Sequence, residues 1–560
     1  MRIGSKTLPS HLRANDNHPS IILPPSSITG PIPDEEIGSV QRFHTIPNIK
    51  LFDLIDRISS QLSFVGPAQS TVSLSLVNSI EFVVCFLSLA KDSFIAAPLN
   101  PTYTKDEARF YLSDSNSKLL IVHKDSLDYK KFPPTGAILA ARELGIPIIG
   151  VLYDLSCSDM RITQLELPRN KGETLSNLPR FEIKGPNEED VLLLLHTSGT
   201  TGKPKAVPLT HLNLVTTIQN IKQTYCLSQK DRSFLVMPLF HVHGLMAGLL
   251  GPLGSGGSCV IPPKFSASSF WDEFLLTKSN WYTAVPTIHQ ILLKTQLPEE
   301  KLPKIRFIRS CSSALSPTTH FKLEQKFKAP VLEAYAMTEA AHQMTSNPLP
   351  PAQRKPGSVG KPVGLDLKIM DFAEEVEKAV GQEGEVCIRG PNVTRGYLNN
   401  EAANLTSFTK KSNFFRTGDR GKLDSDGYLV LTGRIKELIN RGGEKISPIE
   451  IDSALLSIDG VEEAVSFSVP ESKYGEVPWA VVILKKGTPR SSFSEGEVKK
   501  SLLKLLSAFK VPERILVVDK IPKTSTGKIQ RRKVYESILE ELDRHNKQNN
   551  HFEGKLKSRL

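Results

Sequence analysis

Short apolar runs and helix-period segments alternate through the first 200 residues, and this alternation restricts the fold more than any other feature. Leu51–Leu62 repeats its apolar residues at helical spacing. Thr71–Leu76 then reads as a strand, Ser79–Leu89 as a helix, and Phe94–Pro98 as a short apolar run ending at a turn around Pro101. Lys118–Val122 and Pro147–Tyr153 read as further strands. Such alternation predicts a doubly wound α/β architecture, because each helix buries its apolar stripe on a sheet face. Asp190–Leu195 is a continuous apolar run, the pattern of a strand covered on both faces. After Gly427–Arg434 the character changes. Shorter strands (Ala464–Val469, Trp479–Leu484, Ile515–Val518) and two helices (Ile449–Leu456, Val498–Leu506) predict a small α+β domain, with the boundary near Lys436.

A chain of 560 residues is too long for one core, so several domains are expected. Residues 1–30 are polar and Pro/Ser-rich and read as a flexible segment; 542–560 read as a flexible, Asn/Lys-rich tail. The net charge of +11 favours anionic partners without choosing among nucleotides, nucleic acid and membrane surfaces. Part of the excess sits in residues 523–560, which carry ten Lys or Arg against five Asp or Glu. That run keeps nucleic-acid binding open as an alternative function, but it reads better as a solvated face, since no aromatic-interleaved recognition motif accompanies it. The six cysteines are scattered with no C-x-x-C pair, which predicts reduced, mostly buried thiols. No apolar run is long enough for a transmembrane helix, so no stable membrane insertion is expected. The nearest stretch, Gly244–Pro263, is so glycine-rich that turns are expected there. The N-terminus lacks the apolar core of a secretory signal.

The strongest local motif follows the buried strand: Thr197-Ser198-Gly199-Thr200-Thr201-Gly202-Lys203-Pro204-Lys205. Glycines and small hydroxyl residues let backbone N–H groups approach phosphate oxygens, and Lys205 adds charge. The spacing is not that of a Walker A loop. The motif resembles the phosphate loop of the adenylate-forming superfamily of acyl- and aryl-CoA synthetases, adenylation domains and firefly luciferase. Further motifs of that superfamily follow in order. Tyr335-Ala336-Met337-Thr338-Glu339 resembles its aromatic-x-x-Thr-Glu motif, and Thr417-Gly418-Asp419 its ribose-binding Asp. Gly433-Arg434-Ile435-Lys436 resembles its hinge, and Pro522–Lys528 its catalytic-lysine loop. The resemblance covers about residues 45–540. It implies a large domain (31–435) of doubly wound α/β subdomains with a β-rich part, and a mobile small α+β domain (436–541).

It also implies a two-step reaction using ATP, Mg²⁺ and coenzyme A. A carboxylate is a poor electrophile, and joining it to AMP supplies a good leaving group. Lys528 and Thr200 would meet charge growing on the phosphate. Glu339 would hold Mg²⁺, a hard cation suited to carboxylate. Asp419 and Arg434 would bind ribose and Tyr335 would stack on adenine, beside Thr338. Thr197, Ser198, Gly199, Thr201, Gly202 and Lys205 complete the nucleotide set. For thiol attack the small domain would rotate about Lys436. The loop Asn440–Lys445 would then face the thiol, with Gly442 and Gly443 letting pantetheine pass. One residue departs from the family pattern: Ala206 stands where Gly is usual. A left-handed backbone there would cost Ala about 1 kcal/mol.

The segments that would line the acid pocket are polar: Phe240–Gly244, Arg309–Ser313 and Ala340–His342. A second carboxylate on a small acid needs donors, since a buried unpaired charge is costly; His241, Ser312 and His342 could supply them. The pair His241/His243 reads as packing or substrate-shaping, not as a metal site, and Arg309 reads as a structural ion pair. Trp281–Gln290 and Glu333–Pro350 resemble the oxalate–CoA ligase branch of plants and fungi. That implies oxalate as the acid, with medium-chain fatty acids or 4-coumarate as the alternative. The terminal Ser558-Arg559-Leu560 differs from the peroxisomal address S-K-L only by Arg for Lys, so import through the peroxisomal receptor into the matrix is expected, with a cytosolic pool not excluded.

Overall fold

The computed structural model describes residues 6–12, 16–27, 43–167, 179–182, 184–197, 204–297, 303–524, 529–531 and 533–540. The apolar runs of the first 200 residues become one seven-stranded sheet. In spatial order its strands are Asp159–Glu166, Ile148–Asp154, Leu119–His123, Thr71–Ser75, Ile95–Pro98, Val191–Thr197 and Lys205–Thr210. The inner neighbours pair in parallel, and the two edge strands are antiparallel. Thr71–Ser75 is buried along its whole length, the small hydroxyl residues Thr71, Ser73 and Ser75 included. The connecting helices start at identifiable caps. Ser79 accepts the Phe82 N–H ahead of Ile80–Lys91, and Thr104 and Glu107 cap each other reciprocally ahead of Lys105–Asp114.

A second, nine-stranded sheet runs Lys361–Pro362, His342–Ser346, Val331–Met337, Phe307–Ser310, Trp281–Ala284, Arg232–Phe234, Ser258–Val260, Pro19–Leu23 and His44–Pro47. From Val331–Met337 to Pro19–Leu23 it is parallel. Helices between the two sheets share a single apolar core, with Ile55 and Phe86 from one side meeting Leu214 and Leu249 from the other.

Two expectations are corrected here. The N-terminal segment taken as flexible supplies the strand Pro19–Leu23, with Ile21 and Ile22 fully buried. Further upstream the Leu8 N–H donates to Nδ1 of buried His211 at 3.1 Å. A strand this short is outweighed by the prolines and serines around it, so composition hides it. The glycine-rich stretch expected to form turns begins instead with a buried helix of wide π-type turns, His243–Leu250, continued by Gly251–Gly254. The glycines serve close packing: a Cβ on Gly244 would lie 2.3 Å from the Pro238 carbonyl oxygen.

A four-stranded antiparallel sheet follows, Asp366–Met370, Gly384–Arg389, Phe415–Leu423 and Leu429–Arg434. The 3₁₀ turn Ile435–Glu437 then leads into a five-stranded sheet. Its strands are Ile439–Arg441, Glu444–Ile446, Val461–Glu471, Gly475–Leu484 and Arg514–Val517. With helices Pro448–Leu456 and Glu495–Leu502 they enclose a separate core around Ile451, Leu455, Val482 and Leu502. An ion pair between Lys294 and Glu462 joins the large domain to this small one. All six cysteines are free thiols; Cys157 and Cys226 are exposed and the other four buried. Among the described residues no helix is long and apolar enough to cross a membrane.

Candidate active site

Antiparallel pairing of the four-stranded sheet sets Asp419 directly opposite Arg434. Arg434 Nε lies 3.0 Å from Asp419 Oδ1, and the Tyr335 hydroxyl donates to Oδ2. Tyr335 lies near the end of the strand Val331–Met337 of the nine-stranded sheet, so this bond ties two sheets together at one carboxylate. Burial, reinforced by the Asp419 charge, pushes the Tyr335 phenol well above its ordinary value, and it stays a donor. Asp419 is only 6 % exposed, yet each of its oxygens has one partner and a remaining acceptor position.

A second cluster forms at the base of the phosphate loop. Thr197 and Lys205 are paired neighbours on adjacent antiparallel strands, so the loop leaves and re-enters the sheet at one point. Lys205 Nζ sits 4.5 Å from the centre of the Tyr397 ring, and the Tyr397 hydroxyl donates to Glu339 Oε1 at 2.9 Å. Glu339 lies in the short 3₁₀ turn Thr338–Ala340 and is 7 % exposed. Among the described residues no three acidic, His or Cys groups gather into a protein-only metal cage. One buried carboxylate, linked through Tyr397 to a lysine at the base of the loop, fits Mg²⁺, which keeps water and takes phosphate oxygens as its other ligands. Ala206 lies within the strand Lys205–Thr210, opposite His196, and its backbone is not left-handed. The expected cost of replacing glycine there does not arise. Ser198–Lys203, including Gly199, Thr200, Thr201 and Gly202, lie outside the described residues, as does Lys528.

The third cluster gathers residues expected to line the acid pocket. His243 Nδ1 lies 3.0 Å from Ser312 Oγ, and His243 Nε2 lies 2.6 Å from Thr283 Oγ1. The His342 ring stacks on His243 with centroids 5.2 Å apart. Three residues here hold left-handed backbone without being glycine: Ser312 (φ +75°), Ala341 (φ +47°) and His342 (φ +103°). Such conformations are costly and persist where the surrounding structure enforces them, a pattern common at binding sites. Behind the pocket Arg309 is wholly buried. Its Nε donates to the Tyr225 hydroxyl at 2.7 Å, Nη1 to Thr283 Oγ1 at 3.1 Å and Nη2 to Gln343 Oε1 at 3.3 Å. The expected ion pair is absent: among the described residues no carboxylate is paired with Arg309, so that expectation is corrected.

Ser312 and His342 therefore come together, but their immediate partner is His243. His241 Nδ1 accepts the His243 backbone N–H at 3.1 Å and so shapes the turn into the helix. His243, Arg309, Thr283 and Tyr397 were not singled out as site residues. The H-x-H spacing is the one signal that could have pointed to His243, since a helix beginning there buries one of the two imidazoles. Lys436 is exposed in the turn between domains. Gly442 and Gly443, at φ +59° and +97°, form the turn of a small-domain hairpin. The hydrogen bonds of this hairpin run to Tyr474, Glu476, Phe509 and Glu513, all within the same domain.

The chain is similar to known proteins over most of its length. The chain is 47% identical to an oxalate–CoA ligase of Saccharomyces cerevisiae over 90% of this chain and 91% of that one. It is 46% identical to an oxalate–CoA ligase of Arabidopsis thaliana over 91% of this chain and 96% of that one. Its fold superposes on the crystal structure of ATP-bound MatB from Rhodopseudomonas palustris with a TM-score of 0.80 and 26% identity, covering 95% of this chain and 99% of that one. Residues 50–398 match the family model for AMP-binding enzymes, and 450–528 match that for the AMP-binding enzyme C-terminal domain. The three clusters thus sit on a shared scaffold, and the chain belongs to the AMP-binding enzyme family.

Proposed function

We propose that this protein is an ATP-dependent oxalate–CoA ligase. The observation that carries the choice of acid is the His243–Ser312 hydrogen bond with His342 stacked beside it, a donor-rich pocket where a fatty acid would need aliphatic lining. The likeness to two oxalate–CoA ligases over about nine-tenths of the chain supports it.

In the first step an oxalate oxygen attacks the α-phosphorus of ATP, the bond to the β-phosphate oxygen breaks, and pyrophosphate leaves with oxalyl-AMP formed. Asp419, held between Tyr335 and Arg434, accepts the ribose hydroxyls; it is pinned before the nucleotide arrives, so little ordering remains to be done. Tyr335, with Thr338 beside it, flanks the adenine. Thr197 and Lys205 bracket the phosphate loop, whose Ser198, Gly199, Thr200, Thr201 and Gly202 would supply N–H and hydroxyl donors to the phosphates. Lys528 meets the charge developing in the transition state. Mg²⁺ held at Glu339 would supply neutralisation of phosphate charge, and Tyr397 orients that carboxylate. In the second step the CoA sulfur attacks the oxalyl carbon, the bond to AMP breaks, and the thiol proton is lost. Lys436 is the pivot that exchanges Lys528 for the hairpin carrying Gly442 and Gly443.

The destination proposed is the peroxisomal matrix, through recognition of Ser558-Arg559-Leu560 by the import receptor. Removing these three residues should leave turnover unchanged and abolish co-localisation with a peroxisomal marker; retained import would refute that address. The enzymatic proposal is tested by supplying oxalate, ATP, Mg²⁺ and CoA and following AMP. Turnover with octanoate and none with oxalate would overturn the choice of acid.

A further inference from the structure

Among the described residues, no charged group is paired with Arg309. Its side chain is 0% exposed, and its hydrogen-bond partners Tyr225, Thr283 and Gln343 are neutral. Burying an uncompensated cation is unfavourable, so its presence behind the acid pocket asks for a reason.

We propose that Arg309 is a positioning residue that sets the direction of the hydrogen-bond chain Arg309–Thr283–His243–Ser312, so that the Ser312 hydroxyl donates into the pocket and selects acids with a second carboxylate. The proposal rests on the oxalate reading above and names the device that enforces it.

The direction follows from donor and acceptor chemistry. A guanidinium only donates and keeps its protons. Arg309 Nη1 donates to Thr283 Oγ1 at 3.1 Å and also faces His243 Nε2 at 3.5 Å. A proton on Nε2 would point toward that cation, whereas a lone pair there accepts from it. Thr283 has accepted from Arg309, so its own proton goes to Nε2 across 2.6 Å. The imidazole proton therefore resides on Nδ1 and is donated to Ser312 Oγ across 3.0 Å. Ser312 has then accepted from the protein side and keeps its proton for an incoming carboxylate, to which its partial exposure leaves it accessible.

Reversing the chain would have the opposite effect. Ser312 would give its proton to His243 and present lone pairs to an incoming carboxylate, which can only accept. Stacking by His342 holds the His243 ring in the plane that the chain requires. A monocarboxylate places no acceptor at this point and gains nothing from it. The charge of Arg309 adds a long-range attraction for a dianion across the same path.

The test follows pyrophosphate release with oxalate and with acetate in the wild type and in Arg309→Met, Thr283→Val, Thr283→Ser, Ser312→Ala and Thr283→Val/Ser312→Ala. Thr283→Val keeps the shape of the side chain and removes the relay hydroxyl, so it carries the test if Arg309→Met does not fold. Thr283→Val is expected to raise the KM for oxalate about 10- to 100-fold, the range for losing a hydrogen bond to a charged group. Its kcat and its KM for ATP should stay at wild-type values, its preference for oxalate over acetate should narrow, and Thr283→Ser should restore the KM. The double variant should be no worse than Ser312→Ala, because both changes break one chain. An unchanged oxalate KM, additive effects of the two changes, or a parallel rise in the ATP KM would overturn the relay while leaving the oxalate reading in place. Absence of oxalate turnover in the wild type would overturn both.

Discussion

The nucleotide side and the acid side of this site are built in different ways. On the nucleotide side each group lies in a short continuous motif, and the motif carries its own geometry. Thr197 and Lys205 are cross-strand neighbours, and so are Asp419 and Arg434. On the acid side the groups come from separate places in the chain: a helix start (His243), the strand holding Thr283, the strand and turn holding Arg309 and Ser312, and the turn at His342. No short motif contains them; their relation is a buried chain of hydrogen bonds. Such a scaffold could keep one reaction while its acid specificity changes, because the residues proposed for ATP and for the acid share few partners.

That separation can be broken experimentally, and the largest effect lies at the junction of the two sides. Lys528→Ala should lower adenylation by about 100- to 1,000-fold, the range seen when one transition-state donor is removed. Thiol transfer from supplied oxalyl-AMP should survive; equal loss in both half-reactions would contradict the two-orientation scheme. Next comes the nucleotide side alone. Asp419→Ala should reduce kcat/KM for ATP by about 10- to 100-fold, since two ribose bonds are lost and Tyr335 and Arg434 lose their acceptor. The KM for oxalate should not move in that variant. Ser312→Ala is its mirror image: the KM for oxalate should rise by about 10- to 100-fold with the KM for ATP unchanged. If each change disturbed both constants equally, the two sides would be one cooperative unit. The smallest effect is expected from Tyr397→Phe, which removes one neutral donor from Glu339 and should cost about 1 kcal/mol, or about fivefold. It should appear as a higher Mg²⁺ concentration for half-maximal rate.

The same difference explains how much could be read from the sequence. The strands Leu119–His123 and Ile148–Asp154 were legible because burial on both faces leaves a nearly continuous apolar run, and Thr71–Ser75 because Val72 and Leu74 alternate with small hydroxyl residues. Tyr335, Glu339, Asp419 and Arg434 were legible because ordered motifs mark them. Pro19–Leu23 was not, because five residues of strand are outweighed by the prolines and serines around them. The helix at His243–Leu250 was not, because its glycines serve close approach to neighbouring chain and not turning. Arg309 is the instructive case. An arginine in a strand gives no sign of whether a carboxylate will meet it, since that depends on which distant segments the fold brings alongside. Here Tyr225, Thr283 and Gln343 arrive, and none carries a charge.

The most direct test of the whole account is CoA-dependent formation of AMP from ATP and Mg²⁺ with oxalate as the sole acid, measured beside octanoate. The account predicts strong turnover on oxalate and little on octanoate. Robust turnover on octanoate with none on oxalate would contradict it, and would mean that the His243–Ser312–His342 cluster serves the fold and not the acid.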